Sequence, residues 1–167
     1  FQAALCTAVA ALALATSASD RPELTAYPYK WSVTKKGTYE ATTNGTDFVL
    51  SGTIKGDVKI KASMTSRITL KDATIIGTLA VTKGATTLWL EGKNYVTNSA
   101  VNAITATKLL TIGGTGSLYA QSCATNSTGV IVGESGLVMA GGDVIVALDS
   151  GEKKASCVYL EGGYEQL

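Results

Sequence analysis

Phe48-Val-Leu-Ser-Gly52, Ile68-Thr-Leu-Lys-Asp72, Leu88-Trp-Leu-Glu-Gly92, Leu110-Thr-Ile-Gly-Gly114, Val138-Met-Ala-Gly-Gly142 and Val158-Tyr-Leu-Glu-Gly162 are six versions of one five-residue unit. Each runs apolar, variable, apolar, variable, then Gly or Asp. The third residues, Leu50, Leu70, Leu90, Ile112, Ala140 and Leu160, are 20, 20, 22, 28 and 20 residues apart. Alternation with a period of two marks a strand whose first and third side chains share a face. The fifth position wants a residue that tolerates a positive φ, which Gly does freely and Asp better than most. A strand followed by a left-handed bend, repeated about every 20 residues, is the rung of a parallel β-solenoid. An antiparallel sandwich also supplies alternating strands, but it does not predict the same unit at near-constant spacing.

Further strands fit between the bends. One set is Val58/Ile60, Leu79/Val81, residues 103–106 and Val130/Val132; another follows the bend at Ile54, Ile76, Val96, Leu118 and Val144/Val146. The expected fold is therefore all-β: a right-handed, single-stranded parallel β-helix of about six coils over residues 45–167. The right-handed sense follows from the crossover rule for parallel strands. The six third residues are expected to form one buried stack. Residues 19–44, with Tyr27, Tyr29, Trp31 and Tyr39, read as a lead-in covering the first coil. Residues 121–128 read as a loop from their composition.

The whole chain fits this reading. It has 167 residues, 46% of them apolar and only 16% charged, with 18 Gly and 23 Thr. Such a charge-poor, Gly- and Thr-rich mix suits secreted or surface β structure better than disorder or coiled coil. A net charge of +1 leaves no basic footprint for nucleic acid. Histidine is absent, which removes Ser-His-Asp and Cys-His nucleophiles and His-ligated metals.

Residues 1–18 carry no charge and end in small residues before Asp20 and Arg21. This is the pattern of a secretory signal cleaved after Ala18; the alternative is a retained apolar N-terminal helix. The segment is short and Ala-rich for a membrane span, so none is expected in the mature protein unless it is retained. Two glycosylation sequons, at Asn44 and Asn126, agree with secretion. If Cys6 leaves with a signal, Cys123 and Cys157 remain, as one disulfide or as two thiols.

The stretches ITLKDATI (68–75), TTLWLEGKNYVT (86–97), LLTIGGTGSLYA (109–120) and LVMAGGDVIVA (137–147) resemble the bacterial carbohydrate-binding β-helix family first recognised as a domain of unknown function. The similarity covers about residues 48–163. It implies the parallel solenoid and binding of acidic plant polysaccharide, with calcium in the coils. The scattered Asp57, Asp72, Asp143 and Asp149 form no calcium cluster, so neither calcium nor any other cofactor is expected. Pectin lyases and polygalacturonases share the solenoid, but the Asp-Asp pair and the His that the latter use are missing here. Glu91 and Glu161, three units apart, would stand roughly 14 Å apart at the usual strand spacing, beyond the ~5–9.5 Å of a glycosidase pair.

The expected function is a secreted or cell-surface, non-enzymatic protein that binds a polysaccharide or cell-wall glycan on a flat solenoid face. The candidate residues are Trp89, Tyr95 and Tyr159 as stacking rings, Thr111 as a hydroxyl donor, and Lys59 and Lys61 as cations facing an acidic glycan. Val49, Thr69, Trp89, Thr111, Met139 and Tyr159 are expected to line one outward column. The alternative is a structural subunit of an extracellular filament, a homo-oligomer assembled through the apolar N-terminal segment and the coil ends. A polysaccharide lyase or hydrolase ranks behind both.

Overall fold

The structure, a computed structural model, describes residues 4–6, 27–62, 66–122, 129–148 and 156–160. They form strands only. β1 (Ala4–Cys6), β2 (Tyr29–Val33), β3 (Gly37–Glu40), β4 (Thr46–Lys55) and β5 (Val58–Ala62) are followed by β6 (Arg67–Ile76), β7 (Leu79–Lys83), β8 (Thr86–Glu91) and β9 (Lys93–Asn98). Then come β10 (Ile104–Ala106), β11 (Leu110–Gly114), β12 (Ser117–Ser122), β13 (Gly129–Gly133), β14 (Leu137–Met139), β15 (Asp143–Leu148) and β16 (Ser156–Leu160). Every pairing is parallel except β1 against β15. The chain is a β-solenoid of about four turns, with partial rungs at its ends. Six rungs were expected; β2 and β3 make a first rung without a middle strand. No helix among the described residues is long and apolar enough to cross a membrane.

The solenoid has three faces. The front face holds β2, the first half of β4 and of β6, then β8, β11 and β14. The side face holds the second halves of β4 and β6, then β9, β12 and β15. The back face is a separate six-stranded sheet in the order β16-β13-β10-β7-β5-β3. Inward side chains run in columns down the axis. On the front face Trp31, Phe48, Ile68, Leu88, Ile112 and Met139 stand in register. The four central members are fully buried, whereas Trp31 is 45% and Met139 43% exposed. They are the two open ends of one apolar column. At the first end Trp31 stacks on Phe48 at 5.6 Å and meets Tyr39 edge-on at 6.0 Å.

The expected stack holds for Leu50, Leu70 and Leu90 and then fails. Leu90 pairs with Gly114, and Ile112 lies over Leu88. The turn between β9 and β10 holds four more residues than that between β6 and β7, since Ile76 pairs with Thr97 but Leu79 with Ile104, and the interval from β8 to β11 is 24 residues where the repeat suggests 22. A slip of two keeps each side chain on its face and changes only its neighbour. Ile112 is accordingly buried, while Ala140 is exposed on the outer side beside the position of Gly113. Leu160 belongs to β16 on the back face, opposite Gly133. The Val158 unit is thus not a sixth copy of the front strand.

The bends are as expected. Gly52, Asp72, Gly92, Gly114 and Gly142 have φ of 68°, 48°, 69°, 114° and 82°. Asp72 adds a bond that the repeat does not disclose: its carboxylate accepts a hydrogen bond from the Lys93 backbone N–H at 3.0 Å. That carboxylate occupies the space a Cβ on Gly92 would fill. Buried polar groups hold the corners. Inward-facing Asn94, 1% exposed, accepts from Ala73 N–H at 2.9 Å and donates to the carbonyls of Glu91 and Ser117, each at 3.1 Å. At the next corner Thr78 donates its N–H to Asp57 and its hydroxyl to the Asn102 carbonyl, while accepting from Asn98.

Of the N-terminal segment only Ala4–Cys6 is described, and it is extended. Ala4, Leu5 and Cys6 pair antiparallel with Leu148, Ala147 and Val146 of β15. The expected helix over the remainder of residues 1–18 lies outside the described residues, as do Cys123 and Asn126.

Leu90→Ala removes a buried side chain from the centre of its column and is expected to cost about 2–5 kcal/mol in urea denaturation. A cost below about 1 kcal/mol would contradict the packing, since that is the surface range. At Asp72 two effects oppose each other. Asp72→Gly relieves the left-handed strain but loses the bond to Lys93, so it should be near neutral. Asp72→Ala keeps the strain and loses the bond, costing about 1–2 kcal/mol.

Candidate binding faces

The fold distributes the candidate residues over three faces instead of gathering them on one. Trp89 and Thr111 lie on the front face in neighbouring columns. Thr111 pairs with Thr87 and Val138, whereas Trp89 pairs with Thr69 and Gly113. The missing side chain at Gly113 leaves room for the indole, whose six-membered ring passes 3.6 Å from where a Cβ would stand. Met139 points inward, not outward as the repeat suggested. Tyr159 lies in β16 on the back face, in the column of Lys59, Ala80, Thr105 and Val132.

Beside Trp89 the front face carries a dry polar cluster. Asp47 and Arg67 form an ion pair at 2.7 Å, and the Thr69 hydroxyl donates to the second Asp47 oxygen at 2.8 Å. Asp47 is 1% and Thr69 3% exposed. The Arg67 guanidinium lies 4.6 Å from the Tyr27 ring and 5.8 Å from that of Trp89. A desolvated cation between two aromatic faces is favoured by their quadrupoles. The spacing of 20 residues between Asp47 and Arg67 equals the rung length, a signal present in the sequence but passed over.

The back face spends its charges internally. Glu40 bonds to both Lys83 and Lys61, the latter at 3.3 Å. These two bonds, the one from Lys83 foremost, hold the Glu40 carboxyl below the ordinary glutamate range. Lys61 is therefore engaged, while Lys59 is exposed on the same strand. Glu91, on the front face, pairs with Lys71 at 3.6 Å.

The side face is of another character. Its outward columns read Thr53, Thr74, Tyr95, Tyr119, Ile145 and Lys55, Ile76, Thr97, Gln121, Ala147. The Tyr95 and Tyr119 rings are neighbours, 6.2 Å apart and tilted by 52°. Tyr95, Ile76 and Ile145 are 43%, 49% and 48% exposed. Tyr119 was not among the sequence candidates. It lies five residues past Gly114 where Tyr95 lies three past Gly92, so the repeat does not set the two side by side. Asn44 is exposed in the turn before β4, and the sequon residue Thr46 donates its hydroxyl to the Thr43 carbonyl at 2.6 Å.

No family model, curated protein or solved structure matches this chain. Among the described residues no group of three or more His, Cys, Asp or Glu side chains is placed to hold a metal ion.

The lowered Glu40 pKa sets the direction of a pH effect. A carboxyl depressed in the folded state stabilises it above the unfolded-state value, and that contribution is lost as pH falls through the folded value. In an NMR titration of the Glu40 carboxyl, Lys83→Ala should move the pKa upward, and by more than Lys61→Ala does. No movement with either would show that the pairs do not persist in solution.

Proposed function

We propose that the chain is a secreted or cell-surface, non-enzymatic, right-handed β-solenoid that binds a polysaccharide along its side face. The observation that carries this reading is the pair Tyr95 and Tyr119, one ring per rung on an exposed flat sheet. Thr53 and Thr74 continue their column, and Thr97 stands in the neighbouring one. Aromatic faces stack on the apolar faces of sugar rings, and hydroxyls can both donate to and accept from sugar hydroxyls. A polymer running along the axis would meet one residue of each column per rung, about every 4.8 Å, and the two rings at successive rungs. The carboxylates nearest the other candidates are committed to structural bonds: Asp47 to Arg67 and Thr69, Glu91 to Lys71, Glu40 to two lysines. That commitment supports binding over hydrolysis. The sequon at exposed Asn44 supports an extracellular setting.

A glycan array with the full chain should give polysaccharide ligands. Tyr95→Ala and Tyr119→Ala should each weaken binding to the best of them by about ten-fold, the equivalent of ~1.4 kcal/mol. Binding lost in Trp89→Ala but kept in both tyrosine variants would move the site to the front face. An array with no ligand, probing acidic and neutral glycans alike, would overturn the reading.

A further inference from the structure

The geometry points to head-to-tail stacking of copies of this chain: the rung Tyr29–Glu40 of one copy is the docking surface for the final rung of the next. This inference rests on the ends of the solenoid and is independent of glycan binding.

The first argument is the backbone. Among the described residues, β2 pairs only with β4 and β3 only with β5. At the other end β14 pairs only with β11 and β16 only with β13. Among the described residues each end therefore offers one free edge on the front face and one on the back face, with strands running in the same direction. An edge of this kind is a template for another strand. A partner that satisfies both edges together must carry parallel strands in this same angular arrangement, and a further rung of the same chain does so.

The second argument is the stepped shape of the ends. The first rung lacks a side-face strand, so residues 52–55 of β4 have a described partner on one side only, in β6. The last rung has one strand too many on that same face, because β1 lies outside β15. The extra strand at one end thus falls opposite the gap at the other. When stacked, β2 and β3 would meet β14 and β16, and β1 would lie beside residues 52–55.

Packing and charge agree with this. One inward column is open at both ends, at Trp31 and at Met139, and stacking would make it continuous from copy to copy. Tyr29, 58% exposed, adds apolar surface beside Trp31. Residues 27–62 carry six lysines against three carboxylates, a net +3. Residues 129–148 carry Glu134 and Asp143 and no basic residue, a net −2. Unlike charges thus meet at a head-to-tail contact and like charges at a head-to-head one. A heterologous contact of this kind does not close on itself and propagates as a filament.

The test is sedimentation velocity on the full chain, with negative-stain microscopy. The parent should form species that grow with concentration, shrink with added salt and appear as rods one solenoid wide. Trp31→Glu blocks one end and Met139→Glu the other. Each variant alone should remain monomeric, and an equimolar mixture should stop at a dimer, because each partner keeps one intact end. A parent that stays monomeric at every concentration overturns the inference. So does a Trp31→Glu variant that dimerises alone, since that contact would join two C-terminal ends. If circular dichroism shows that Trp31→Glu loses its strands, the double variant Lys35→Glu, Lys36→Glu replaces it, both side chains being exposed. It should weaken association by about ten-fold or more, and association as tight as the parent's would count against the contact.

Discussion

Everything in this molecule depends on parallel rungs staying in register along three faces. The parallel ladder bonds each strand to the rung before and the rung after, so no strand has a choice of neighbour once its column is set. The interior is narrow, and its columns hold one side chain per rung, as in Phe48, Ile68, Leu88 and Ile112. Each of these is fully buried by the members above and below it. Truncating one opens a void that only its neighbours can fill, which is why a solenoid core transmits damage along its axis.

The polar residues that turn the chain solve a different problem. A corner breaks the ladder, and broken ladder groups inside a protein must find partners. Asn94 supplies three at once, and the set around Thr78 supplies two more. The bends use positive φ instead, with four glycines and one aspartate at the fifth position of their units. Asp72 combines both devices, taking the left-handed conformation and receiving the Lys93 N–H.

How far this was legible in the sequence can be judged residue by residue. The period-two units and the regular bends gave the solenoid, its rung length and the positive φ at Asp72. They did not give the register beyond Leu90, because alternation is blind to a shift of two and the glycines at 113 and 114 carry no side chain to reveal it. Leu160 was misplaced for a related reason: Val158-Tyr-Leu-Glu-Gly162 repeats the front-face pattern in a strand that pairs on the back face. The candidate surface suffered most. Trp89, Tyr95 and Tyr159 look alike in the sequence as aromatics in strands, yet each lies on a different face, and facing depends on register. Tyr119 was missed because it pairs with Tyr95 through a 24-residue interval, not the 20 of the earlier rungs.

Asn94 has a further consequence, for motion. In a stack where each rung touches only its neighbours, opening proceeds inward from the ends one rung at a time. Asn94 is bonded to Ala73 in the preceding rung, to Glu91 in its own and to Ser117 in the following one. None of the three can peel away without leaving part of a buried amide unpaired. The middle rungs are thereby tied into one cooperative block, and fraying that begins at either end meets a boundary there. Amide hydrogen exchange would register this as a plateau: the Ala73 N–H should exchange only when the block opens as a whole, while the amides of β2 and β14 exchange by fraying.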